Sequence, residues 1–76
     1  MPKLPVLKPR QVIAALERAG FRRVRQKGSH LQLKRGNLLV TVPNHPGDVN
    51  PQVLKSILRQ AQMSEEEFIG WLKGEK

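Results

Sequence analysis

The hydrophobic residues of this chain change their spacing after Gly20, and this change limits the possible folds more than any other feature. Before Gly20 the apolar residues follow a helical repeat, whereas residues 21–43 alternate between polar and apolar types. Two short segments interrupt the alternation, Gly28-Ser29 and Arg35-Gly36-Asn37. Interruptions of this length that contain glycine are typical of β-hairpin turns. We therefore predict a three-stranded antiparallel meander, with Gly36 and Asn37 both supplying the positive φ angles of the second turn.

The alternation also assigns each strand residue to one of two sheet faces. The residues that we predict to point into the core are Val24, Leu31, Leu33, Leu38, Val40 and Val42. The polar residues of the first two strands fall on the opposite face, and they are Arg23, Arg25, Lys27, His30, Gln32 and Lys34. An antiparallel sheet of this type is covered on its apolar face and faces water on the other. Any chemistry on the polar face would therefore take place on an open surface.

Helix signals flank the predicted sheet. Pro9 suits the first position of a helix that extends over residues 9–19, and Gly20 suits its end. Asn50 begins a second helix, and Ser64 begins a short third one. The predicted buried stripe of the second helix consists of Val53, Leu54, Ile57, Leu58 and Ala61. The order of helix, three strands, helix and short helix predicts one α+β domain over residues 1–76. We expect its two longer helices to lie on the apolar face and residues 1–8 to form a loose leader.

Positive charge is concentrated in the first half of the chain. Residues 1–35 contain ten Lys and Arg residues and one acid, whereas residues 36–76 contain four and five, so the local net charges are +9 and −1. This asymmetry indicates a polyanionic partner, with nucleic acid as the first candidate. A membrane surface is less favoured, because the basic residues do not lie opposite an apolar face on one long helix. Without cysteines or a long apolar run, we expect a cytoplasmic protein with no membrane contact.

His30 is the main candidate for chemistry, because it follows the Gly28-Ser29 turn on the basic face. The backbone N–H groups of such a turn can point at an anion. RNA cleavage without a metal needs a base for the 2′-hydroxyl, an acid for the leaving 5′-oxygen, and cations for the transition state. His30 suits the role of base or acid, and the nearby cations Lys27 and Arg25, with Arg23, suit charge stabilisation. An ordinary surface histidine is the simpler alternative.

The other candidate sites are weaker. His45, between Asn44 and Pro46, is either a structural residue, a second acid or a substrate contact. Two histidines without cysteines or a clustered carboxylate form a poor metal site, and we expect no metal and no cofactor. Ser29 beside His30 is not a hydrolase pair, because adjacent side chains on an extended segment diverge and no acid is spaced to orient the histidine.

Five segments of the chain, taken in order, carry a resemblance to a known family: LERAGF (16–21), RQKGSH (25–30), VTVPNHPGDV (40–49), LKSILRQA (54–61) and SEEEFIGWL (64–72). In these segments the chain resembles the HicA toxins. This family, also called YcfA-like, comprises mRNA interferases of bacterial and archaeal toxin–antitoxin pairs. The Gly-Ser-His turn is specific only together with the Val-Pro-x-His segment.

The resemblance implies a fold like that of the double-stranded RNA-binding domain, cleavage of mRNA, and neutralisation by a HicB antitoxin in a heteromeric complex. It places the catalytic histidine of the family at His30 and the histidine of the Val-Pro-x-His segment at His45. The expected RNA contacts are Arg23, Arg25, Lys27, Gly28, Ser29, Lys34 and His45. Two alternatives stay open: a non-catalytic RNA-binding module that uses the same basic face, and a domain whose basic face only docks an acidic protein.

Overall fold

A computed structural model describes residues 4–74 of the chain and shows the predicted α+β layout. The elements in chain order are α1 (Pro9–Arg18), β1 (Arg22–Lys27), β2 (His30–Arg35), β3 (Leu38–Pro43), α2 (Pro51–Ala61) and α3 (Glu65–Leu72). The strands form one antiparallel sheet in the order β1-β2-β3. The predicted meander is therefore confirmed.

The helices begin at the predicted residues. Pro9 opens α1 after Lys8, and Gly20 follows the end of α1 with a φ of 101°. Asn50 caps α2 by accepting a hydrogen bond from the N–H of Gln52 at 2.7 Å. The hydroxyl of Ser64 accepts a hydrogen bond from the N–H of Glu67 at 3.1 Å and so caps α3. These caps satisfy N–H groups that have no partner within the first turn of a helix.

Both hairpins turn over two residues, and each turn begins with glycine. Gly28 and Gly36 each have a φ of 59°, whereas Ser29 and Asn37 do not have positive φ angles. A glycine at the first central position only is the pattern of a type II′ turn, whose twist matches that of the adjoining strands. The prediction that Asn37 also supplies a positive φ was wrong, because this turn type needs only one such residue.

The helices cover one face of the sheet and enclose the core there. Leu33, Val40 and Val42 of the sheet are fully buried against Leu16 of α1 and Leu54 of α2 within a single apolar cluster. Val53 was expected in the buried stripe of α2 but is 37% exposed. Its neighbours Leu54, Ile57, Leu58 and Ala61 are buried as predicted. The stripe is therefore narrower than the sequence pattern indicates.

The first strand departs from simple alternation. The pairing of β1 with β2 shifts between Arg23 and Arg25, which leaves Val24 as the extra residue of a β-bulge. Val24 is 48% exposed, so the prediction that it points into the core was wrong. The bulge also reverses the faces of the residues before it. Arg23 pairs with the buried Leu33 on the helix-covered side, and Arg22 pairs with Lys34 on the other.

The segment before α1 is attached to the domain from Leu4 onward. Leu7 pairs with Val49 in an isolated β-bridge and is buried, and Leu4 packs against the core. The Nζ of Lys8 forms an ion pair with Asp48 at 2.8 Å. The loose leader expected for residues 1–8 is thus anchored over its last part, and residues 1–3 lie outside the described residues. Within residues 4–74, no helix is both long and apolar enough to cross a membrane.

Candidate nucleic-acid interface

The face of the sheet opposite the helices, here called the open face, is arranged in three rows of cross-strand neighbours. The turn row contains Lys27, His30 and Pro43; the middle row contains Arg25, Gln32 and Thr41; the far row contains Arg22, Lys34 and Leu39. Neighbouring strands lie about 4.8 Å apart, and successive rows on one face lie about 7 Å apart. In each of the three rows, β1 or β2 contributes at least one cation, so positive charge extends along the whole β1–β2 hairpin.

The cations of the open face have no acidic partners among residues 4–74. The two ion pairs of this part of the chain are Lys8–Asp48 and Arg23–Glu17, and both lie away from the open face. Arg22, Arg25, Lys27 and Lys34 are all exposed. Their charge is therefore available to an external anion, in agreement with the polyanionic partner that the composition predicts.

Arg23 lies elsewhere. Its Nε donates a hydrogen bond to Oε2 of Glu17 on α1 at 3.3 Å, on the helix-covered side of the sheet. This exposed ion pair connects β1 to α1. The assignment of Arg23 to the open face was wrong, because the bulge at Val24 reverses its direction. Arg22, which the alternation placed on the other side, occupies the open face instead.

His30 lies at the start of β2, directly opposite Lys27. It is exposed, and its imidazole makes no hydrogen bond with any residue of the described part of the chain. Directly opposite residues on one face have β-carbons about 5 Å apart. An anion in contact with the Lys27 ammonium can therefore also contact His30.

The Gly28-Ser29 turn is held through its carbonyl groups. Gln26 donates from Nε2 to the Gly28 carbonyl at 3.4 Å, and the N–H of Asn44 donates to the Ser29 carbonyl. The N–H groups of Gly28 and Ser29 have no acceptor within residues 4–74. They remain free to donate to a phosphate oxygen, as the sequence suggested.

His45 lies in the loop that Asn44 ties to the turn. Its Nδ1 lies 3.0 Å from the carbonyl of Pro46, and because a carbonyl only accepts, Nδ1 carries the proton in this contact. The side chain lines a hollow of about 380 Å³ together with Lys8 and Arg10 at the beginning of α1, and His30 does not line it. The structure thus brings the His45 loop to the turn but places His45 in a separate basic hollow.

The structure accordingly unites most of the predicted site. Arg25, Lys27, His30 and Lys34 share the open face, and the Gly28-Ser29 turn lies at its end. Arg22 is an open-face cation that sequence reasoning missed. A signal for it exists in the sequence: Phe21 is apolar and Lys27 is charged although both positions are odd, so strict alternation cannot bury Phe21 and expose Lys27. Residues 4–74 contain no group of three or more His, Asp or Glu side chains arranged to hold a metal ion.

Two comparisons with known proteins bear on this site. The sequence model of a family described as the HicA toxin of bacterial toxin–antitoxin systems matches residues 9–63. The match extends from the first residue of α1 to the residue that precedes the cap of α3, and it includes every residue of the open face. A search of curated proteins found no match.

Proposed function

The chain belongs to the HicA toxin family of bacterial toxin–antitoxin systems, and from this premise we propose that it is a metal-independent endoribonuclease that cleaves mRNA. The position of His30 carries the proposal. Its exposed imidazole lies opposite Lys27, on a face whose cations have no acidic partner within residues 4–74. The arrangement combines a proton-transfer group with charges that stabilise a phosphate.

In the proposed reaction, the 2′-hydroxyl of RNA loses its proton to a base and its oxygen attacks the adjacent phosphorus. A bond forms between phosphorus and the 2′-oxygen, the bond to the 5′-oxygen of the next nucleotide breaks, and an acid protonates that leaving oxygen. His30 acts as the base or the acid. The products are a 2′,3′-cyclic phosphate and a free 5′-hydroxyl.

The surrounding groups stabilise the negative charge that accumulates on the phosphorus oxygens. Lys27 is the cation opposite His30, and Arg25 is the cation of the next row. The free N–H groups of Gly28 and Ser29 add two neutral donors at the same end of the sheet. We assign His45 as an RNA contact, because its loop is tied to this turn through Asn44.

The toxin–antitoxin family implies a protein partner, and we propose a HicB-like antitoxin with an acidic docking surface. Such a surface would complement the cations of the open face and cover His30 in a heteromeric complex in the cytoplasm. Covering this face would block RNA access without any change in the toxin fold.

A non-catalytic RNA-binding module is the second candidate, because the open face is shallow and its cations suit shape and phosphate recognition of A-form RNA. The two functions differ in their product. Purified protein is incubated with a long mRNA in EDTA, and the RNA is resolved on denaturing and native gels. Shortened RNA with cyclic phosphate ends would support the nuclease. Intact RNA with a shifted native band would support the binding module.

A further inference from the structure

We propose that the far row of the open face holds a backbone phosphate of the RNA beyond the one that is cleaved, with Arg22 and Lys34 as its ligands. This inference rests on the proposed function, because it concerns how the same RNA strand continues across the sheet. Arg22 thereby gains a role in RNA binding, and the RNA gains a second contact with the protein far from His30.

The bulge at Val24 creates this pair of cations. Because Val24 is the extra residue, Arg22 lies directly opposite Lys34 on the open face while Arg23 turns toward Glu17. Bulges commonly occur at sheet edges and next to functional sites, where they redirect a side chain. In this sheet the bulge allows Phe21 to be buried while Arg22, Arg25 and Lys27 all stay on the open face.

The charges of the pair favour an anion between them. Like charges directly opposite each other in a sheet are unfavourable, and neither side chain has an acidic partner within residues 4–74. Arg22 and Lys34 line a hollow of about 390 Å³ with Val24. Arg35 also lines it, but its Nη1 already donates to the Ala19 carbonyl at 2.7 Å. A phosphate in this hollow would relieve the repulsion between the two cations.

Apolar surface lies beside the two cations. Val24 and Leu39 are each 48% exposed, and Leu39 is the far-row neighbour of Lys34 on β3. A nucleotide presents a charged phosphate next to the less polar faces of its sugar and base. The combination of a cation pair with an apolar flank suits a nucleotide better than it suits a small inorganic anion.

The distance from His30 requires that a phosphate bound at the far row differ from the one that is cleaved. His30 and Lys34 are four residues apart on β2, which corresponds to about 13 Å along an extended strand. A single phosphate cannot contact both side chains at that separation. The RNA strand must therefore extend along the hairpin, and a dinucleotide with only one phosphate would not reach the far row.

The test compares two adjacent arginines, of which Arg22 lies on the open face and Arg23 lies on the helix-covered side. Binding of an uncleavable 2′-O-methyl RNA strand is measured against salt for the wild type, Arg22→Gln and Arg23→Gln. Arg22→Gln should weaken binding by about fivefold, the effect of one lost hydrogen bond. It should also reduce the slope of log affinity against log salt by about 0.7, the value for one phosphate contact in a single strand. Arg23→Gln should weaken binding by less than about twofold, because its charge is remote and screened.

A second comparison tests the apolar flank. Leu39→Ala should weaken binding without changing the salt slope, whereas Val53→Ala, an exposed apolar truncation on α2, should have no effect. Equal effects of Arg22→Gln and Arg23→Gln would overturn the far-row site and leave His30-dependent cleavage untouched. Binding to RNA with no cleavage by the wild type would reject the nuclease but not this site. A wild type that binds no RNA would overturn both proposals.

Discussion

The backbone N–H of Asn44 donates a hydrogen bond to the carbonyl of Ser29 and so joins the loop after β3 to the turn before β2. The two segments that carry His45 and His30 are thereby held at the same end of the sheet. Gln26 braces the neighbouring carbonyl of Gly28. The shape of this turn is consequently fixed by groups on both sides of it, and its N–H groups are left free.

Replacement of Gly28 by alanine should reduce RNA cleavage. Gly28 occupies the first central position of a type II′ turn with a φ of 59°, a conformation that costs other residues about 1–3 kcal/mol, although an added β-carbon would meet nothing within 4 Å. Relief of this strain would distort the turn that presents His30. Cleavage rate and urea denaturation of Gly28→Ala provide the measurement.

Gly36→Ala is the matched control for this prediction. Gly36 has the same φ of 59° and the same open surroundings, but it lies in the other hairpin, away from His30. Gly36 lines the far-row hollow, so cleavage is compared at saturating RNA. The two variants should lose similar stability, and only Gly28→Ala should lose cleavage beyond that expected from unfolding. Equal cleavage by the two variants would show that the turn geometry at Gly28 does not matter.

Leu33→Ala should destabilise the protein by about 2–5 kcal/mol, because Leu33 is fully buried at the centre of the sheet. This loss is a large fraction of the stability of a small domain. Leu39→Ala removes the same atoms from the open face, where the side chain is 48% exposed, and should cost less than about 0.5 kcal/mol. Chemical denaturation of both variants checks the assignment of the two faces, and a reversed order would contradict it.

Arg35→Lys should cost about 1–2 kcal/mol even though the charge is kept. The guanidinium of Arg35 lies 4.8 Å from the ring centroid of Phe21 and donates to the Ala19 carbonyl at 2.7 Å. A lysine cannot stack and bind the carbonyl in the same geometry. Arg25→Lys, at an exposed position without such contacts within residues 4–74, should leave the midpoint of unfolding unchanged. An Arg35→Lys variant as stable as the wild type would show that the contacts of the guanidinium with Phe21 and Ala19 contribute nothing to stability.

The sequence predicted the fold well because each element carries its own local signal. Pro9, Asn50 and Ser64 mark helix starts, and the glycines of the two hairpins mark the turns. The alternation in β2 correctly separated the buried Leu31 and Leu33 from the less buried residues beside them. These signals depend on neighbouring residues, so they can be read without knowledge of tertiary contacts.

The errors that changed the site occurred where one extra residue or one tertiary contact decides the outcome. A bulge inserts a residue without any change in composition. The alternation therefore assigned Arg22 and Arg23 to the wrong faces and predicted that Val24 is buried. The anchoring of Leu7 depends on Val49, more than forty positions away. The position of His45 likewise depends on how the loop after β3 folds back onto the beginning of α1. Local patterns contain no information about such contacts.

The central claim is that His30 takes part in RNA cleavage, and the most direct measurement is the rate at which His30→Ala cleaves a long mRNA in EDTA. Because the imidazole is exposed and has no hydrogen-bond partner within residues 4–74, the variant should unfold at the same urea concentration as the wild type. Loss of one general acid–base group should reduce the cleavage rate by about 10²–10⁴-fold while RNA binding is largely retained. A folded His30→Ala protein that cleaves at nearly the wild-type rate would contradict the account.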